Sequence, residues 1–222
     1  KVQKVVAAGG FPLVLGGDHA VAIGTIAGLS AVARSTGRTL GVVWIDAHGD
    51  LNTDATTPSG NIHGMPLAAS LGLGALELTS IGGPHAKLSP KNVVLIAIRD
   101  LDDGERKQIK TLHVPTFTME EVDKHGMAVV IGKALRKLRH VDMLHVSFAL
   151  DSIAPAVAPG VGTPVKGGLN YREAHLIMET LAESGRMTSL EVVEVNPILD
   201  NRNLSAEFAV EMIQSGFGKK IL

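Results

Sequence analysis

Val42-Val43-Trp44-Ile45-Asp46-Ala47-His48-Gly49-Asp50 decides how this chain is read. An apolar run breaks at Asp46 into three groups able to ligate a metal, at alternating positions. With residues 42–45 as a strand, Asp46, His48 and Asp50 leave its end with the side-chain period of two and face one way. Two carboxylates and an imidazole aimed at one point repel each other and lose hydration, and a bound dication is the usual compensation. The stretch reads as a strand that delivers a metal site; the bland alternative is an Asx turn with a solvated histidine.

Working outward, four more apolar runs end in polar groups. Residues 11–15 (Phe11-Pro12-Leu13-Val14-Leu15) run into Gly16-Gly17-Asp18-His19. Residues 92–98 lead to Arg99-Asp100-Leu101-Asp102, and residues 143–148 to Ala149-Leu150-Asp151. Residues 190–195 close in Glu194-Val195-Asn196-Pro197, and residues 115–117 suit a further short strand. Helical periodicity covers 20–32, 66–73, 105–112, 119–125, 127–139, 171–184 and 204–215, with Asn170 as an N-cap and Gly185 as a stop. Residues 1–8 resemble the tail of an amphipathic helix ended by Gly9-Gly10, so the N-terminal part of the fold is expected to be missing. Strands alternating with helices predict an α/β chain: one domain over residues 1–222, three layers (αβα), a central parallel sheet covered on both faces. Such sheets place their site at the carboxyl ends of the strands. Here those ends carry His19, Asp46, His48, Asp50, Asp100, Asp102, Asp151 and Glu194. One active site is implied.

Composition narrows the chemistry. A net charge of −1 from 21 basic and 22 acidic residues gives no reason to expect nucleic acid or an anionic membrane as partner. No window approaches the ~20 apolar residues that span a bilayer, and the opening residues do not form a signal peptide. With no cysteine, a metal must sit on oxygen and nitrogen, which favours Mn, Mg or Fe over structural zinc; a cytoplasmic setting fits. Gly16-Gly17-Asp18-His19 lacks the spacing of a phosphate loop. Two long polar loops, 51–65 and 153–169, are of the length that usually serves function. Taken alone, His63 reads as a surface residue, His145 and the remaining unassigned histidines as structural, and Glu194 as either an ion-pair partner or an anchor for a cationic group.

Gly16-Gly17-Asp18-His19, Asp46-Ala47-His48-Gly49-Asp50, Ser147-Phe148-Ala149-Leu150-Asp151 and Glu194-Val195-Asn196-Pro197 have the order and spacing of the ureohydrolase (arginase/agmatinase) family, and the chain resembles its bacterial-type arginases most. The resemblance implies an arginase-like fold and hydrolysis of L-arginine to L-ornithine and urea. It implies two Mn²⁺ ions, one on His19, Asp46 and Asp50, the other on His48, Asp46 and Asp151, polarising a bridging water into hydroxide. Within that carry-over Asp50 counts as catalytic as well as ligating, His63 matches a proton shuttle, and Glu194 matches the guanidinium anchor. Asn52, Thr57, Ser59 and Asn61 match the loop that reads an α-carboxylate, Asp102 a residue near the α-amino group, and Glu105 a nearby acid. Thr163 lies in a matching Gly162-Thr163-Pro164. Homo-oligomers, trimers or hexamers, are typical of the family. The chain departs from the pattern S-F-D-x-D-x-x-D-P at Ala149, where a bridging Asp is expected, and at Ala154, where a supporting acid is. Those departures imply weakened metal binding and leave open an inactive structural or regulatory homologue. An agmatinase-like guanidino hydrolase is disfavoured by Asn52 and Ser59-Gly60-Asn61.

Overall fold

The structure, a computed structural model, describes residues 1–220. Six strands form one parallel sheet: β1 (Leu13–Leu15), β2 (Leu40–Ile45), β3 (Val93–Ile98), β4 (Thr116–Thr118), β5 (Met143–Ala149) and β6 (Met187–Val193), in the order β1-β6-β5-β2-β3-β4. The helices are α1 (Val2–Ala7), α2 (Val21–Ser35), α3 (Pro66–Ser70), α4 (Leu76–Thr79), α5 (Asp103–Leu112), α6 (Met119–His125), α7 (Met127–Lys137), α8 (Tyr171–Ser184) and α9 (Leu204–Gly216). The expected three layers follow from alternation along fully buried strands. In β2, Val43 and Ile45 join Ile131, Leu181 and Met212 in one apolar core, while Val42 and Trp44 join Ile26, Leu29 and Leu67 in the other. No helix among the described residues is long and apolar enough to cross a membrane.

The order of the sheet places the site. After β2 the chain builds outward through β3 and β4, then returns to add β5 on the opposite side of β2. Successive connections therefore diverge between β2 and β5, and a crevice opens at that point outside the carboxyl ends. Asp46 and Asp50 follow one of these strands and Asp151 the other.

Three departures from the sequence reading matter for the site. β6 stops at Val193, and Glu194 has a left-handed backbone (φ 65°), so it leaves the ladder as a turn residue. β3 carries a bulge between Ile96 and Ile98, with Ala97 at φ 72°. Helix α5 begins two residues before the expected start, because Asp102 and Glu105 form a reciprocal capping box.

Candidate metal and substrate site

Two sets of ligand atoms converge at the crevice, and they share Asp46: His19 with Asp46 and Asp50, and His48 with Asp46 and Asp151. His19 Nδ1 lies 2.9 Å from Asp46 Oδ2 and 2.9 Å from Asp50 Oδ2. His48 Nδ1 lies 3.3 Å from Asp46 Oδ1 and 3.2 Å from Asp151 Oδ2. All are buried except His48, which is partly open to the cavity. Local backbone geometry aims them. The His48 N–H donates to Asp46 Oδ1 at 2.7 Å, folding the strand end into an Asx turn, and Asp50 adopts φ 51°. The turn and the candidate ligand face thus coexist in one stretch. Trp44 stacks on His19, with ring centroids 4.1 Å apart and planes 11° from parallel, which fixes the imidazole plane.

In the metal-free protein these groups share their charge through protons. Burial opposes the imidazolium of His48, but hydrogen bonds to Asp151 and Asp46 outweigh it and push it up to about 12. Burial likewise opposes the charged form of His19, yet Asp50 and Asp46 hold it well above the ordinary value. Burial, then the neighbouring Asp46 charge, raises Asp50 to about 7 and Asp151 to about 6. Asp46 is buried too, but both imidazoles hold its carboxyl below the usual carboxylate range. His19 Nδ1, Asp50 Oδ2 and Asp151 Oδ1 are buried without a well-formed hydrogen bond. Orphaned lone pairs aimed at one space fit a cation.

Around this centre lies a cavity of about 250 Å³, suited to an amino-acid-sized ligand. Its lining brings together Asn52, Thr57, Ser59, Asn61, His63, Asp102, Glu105, Thr163 and Glu194 with the five candidate ligand residues. Glu194 turns inward through its left-handed backbone. Its N–H donates to Gly17 O at 2.6 Å, while Oε1 accepts the His19 N–H at 2.7 Å and lies 3.6 Å from His63 Nδ1. That contact with Glu194 raises the His63 pKa above its ordinary value, with burial opposing. Asn52 Nδ2 donates to Asp102 Oδ2 at 2.8 Å, locking the two polar groups of the rim to each other. Thr163 Oγ1 donates to Asp151 Oδ2 at 3.3 Å. Glu105 differs from its neighbours: its oxygens accept the N–H groups of Leu51 at 3.3 Å and Asp102 at 3.0 Å, so it braces the rim from beneath.

Sequence reading passed over Arg99. Its guanidinium donates to the carbonyls of Asp151 (2.7 Å), Ser152 (3.1 Å), Val165 (2.8 Å) and Lys166 (3.1 Å), clamping both ends of the 153–169 loop beside a candidate ligand. A lone Arg after a strand carries no such signal, because the carbonyls it meets are distant in sequence. Ser189 and Glu191 were also passed over, and His145 was read only as structural, although polar residues at every second position of buried strands are a readable signal.

A model of the arginase family matches residues 1–218. The arginase of Bacillus caldovelox is 56% identical over 222 residues, all of this chain and 73% of that protein. The arginase of Bacillus subtilis (strain 168) is 54% identical, again over all of this chain and 74% of the relative. The crystal structure of arginase from Bacillus cereus superposes with a TM-score of 0.95 at 51% identity, covering 100% of this chain and 75% of that one.

Proposed function

The chain belongs to the arginase family and is an arginase-type amidinohydrolase, and we propose on that premise that it hydrolyses L-arginine to L-ornithine and urea at the β2–β5 crevice. The observation that carries the proposal is the pair of ligand sets sharing Asp46, with buried unsatisfied atoms facing one space. His19, Asp46 and Asp50 would hold one dication and His48, Asp46 and Asp151 the other. A ligand set of oxygen and imidazole nitrogen supports Mn²⁺. Two bound dications supply acidification of water toward neutral pH.

The chain's own groups do the rest. The Glu194 carboxylate pairs with the guanidinium and orients its carbon over the centre. Asn52, Thr57, Ser59 and Asn61 offer amide and hydroxyl donors to the α-carboxylate, and Asp102, fixed by Asn52, accepts from the α-amino group. His63, whose imidazolium is favoured by its contact with Glu194, gives its proton to the departing amine. Water's oxygen ends in urea, the bond from the guanidinium carbon to the ornithine nitrogen breaks, and that nitrogen leaves as the amine.

Ala149 bears on the strength of the centre. It is fully buried at the end of β5, and its methyl group cannot ligate. Asp46, Asp50 and Asp151 then supply three negative charges against the four of two dications, so weakened metal retention is part of the proposal. Assembly into a homo-oligomer, a trimer or hexamer, is proposed too, supported by exposed apolar side chains such as Ile198 and Leu199, as is a cytoplasmic setting. The test is urea release with saturating Mn²⁺, from arginine and from agmatine. Turnover of arginine well above agmatine is expected; preference for agmatine would refute the reading of the carboxylate loop.

A further inference from the structure

β5 and β6 carry a buried polar stripe that the reaction above leaves idle. His145, Ser147, Ser189 and Glu191 are all fully buried. In register, His145 lies opposite Ser189 and Ser147 opposite Glu191, so the four side chains stand together on one face of the sheet. Trp44, the residue stacked on His19, is paired with Ser147 from the other side. A carboxylate and an imidazole in a core cost free energy unless they are paired and hydrogen-bonded.

The contacts run in a line toward the metal site. Ser189 Oγ lies 2.9 Å from His145 Nδ1, and His145 Nε2 lies 3.2 Å from Glu191 Oε1. At the other end, Ser147 Oγ lies 2.7 Å from His19 Nε2. As the side chains stand, neither Glu191 oxygen completes a hydrogen bond. The carboxylate is thus an orphaned acceptor 3.2 Å from the His145 ring, with Ser147 opposite it in the register of β5 on β6. Burial opposes its ionised form, but His145 outweighs burial and holds it below the ordinary carboxylate range, with His19 and then Ser147 assisting.

One assignment of protons satisfies the line from end to end. The Ser189 hydroxyl donates to His145 Nδ1, and His145 Nε2–H donates to Glu191. The Ser147 hydroxyl also donates to Glu191, so its oxygen must accept from His19 Nε2–H. Once a dication displaces the proton that Asp46 and Asp50 favour on His19 in the metal-free protein, Nδ1 keeps a lone pair, and that atom faces Asp46 and Asp50.

We propose that Glu191, acting through Ser147, is a positioning residue that holds His19 as its Nε2–H tautomer and so presents Nδ1 to a dication. This rests on the two-dication reading above. The buried stripe thereby serves the metal site. An anion in the core sets the proton of a ligand it does not touch, an arrangement known to orient ligating imidazoles and raise their basicity.

The test is Mn²⁺ titration calorimetry on the metal-free chain and on Glu191→Gln, Ser147→Ala and the double variant. KM for arginine is measured at saturating Mn²⁺. Each single change is expected to weaken Mn²⁺ binding roughly 10–100-fold, with KM unmoved. The double variant should bind no worse than the weaker single, since both cut one line. Unchanged affinity in both singles, or losses that add in the double, would overturn the proposal. Should Glu191→Gln fail to fold, Ser147→Ala, which removes one hydroxyl, decides the matter by the same loss or its absence. His19→Ala separates the two levels. If it leaves Mn²⁺ binding intact, the two-dication reading fails; if it weakens binding while the Glu191 and Ser147 variants match the parent, only the relay fails.

Discussion

Ala149 and Asp46 have opposite roles at the same centre. Asp46 is the one side chain shared by both ligand sets, and Ala149 stands where a second bridging carboxylate is expected. Ala149→Asp should tighten Mn²⁺ binding at least roughly tenfold and raise urea release at limiting metal. It should also lower the melting temperature of the metal-free protein, because it adds a buried carboxylate beside Asp46 and Asp151. Calorimetric titration and thermal melts check both parts; an affinity unmoved in a folded variant would remove the end of β5 from the ligand set. His63 supplies a second prediction at this scale. Its contact with Glu194 favours the imidazolium, so Glu194→Gln should bring the His63 titration down toward the ordinary histidine value. NMR of the ring protons reads this directly, and a rise would show that Glu194 does not favour the His63 imidazolium.

At the scale of elements, the clamp around Arg99 joins β3 to the loop that follows β5. The left-handed Ala97 and the bulge at that point set the path of the chain just before Arg99, and the side chain reaches carbonyls on both sides of the loop. Hydrogen bonds from a charged donor contribute roughly 1.5–3 kcal/mol each when removal leaves a buried acceptor unpaired. Arg99 is only partly buried, and water can replace some of these bonds. Arg99→Ala should therefore cost roughly 3 kcal/mol, Arg99→Lys less, and protease should cut within 153–169 sooner. Chemical denaturation and limited proteolysis measure the two effects. This element also shows where sequence reading reaches its limit. The end of β2 at Ile45 and the Asn170 and Gly185 caps of α8 were legible to the residue, because alternation and capping are local. The bulge, the turn at Glu194 and the carbonyls that Arg99 meets depend on partners far along the chain. The stripe of His145, Ser147, Ser189 and Glu191 was legible as a pattern, yet its meaning needed the register of β5 on β6.

For the whole molecule, the order of the sheet turns five separate strand ends into one centre, and the strength of that centre depends on pH. In the metal-free protein Asp50 at about 7 and Asp151 at about 6 lie above their ordinary 3.8. The folded state therefore binds more protons than the unfolded one from about pH 4 to about 7, and stability falls as pH rises through that window. His48, at about 12 against an ordinary 6.5, has the same sign. Its contribution is complete below the ordinary value and lost progressively above it. A dication must displace these protons, so its binding strengthens with pH. The metal-free melting temperature should fall between about pH 6 and about pH 8, and the gain on adding Mn²⁺ should grow; thermal melts in which that gain shrinks would contradict the proton count. The most direct test of the shared centre is Mn²⁺ stoichiometry by calorimetry at saturating metal, on the parent chain and on three variants. The account predicts two ions for the parent, one each for Asp50→Asn and Asp151→Asn, and neither for Asp46→Asn. Two ions retained in folded Asp46→Asn would contradict it.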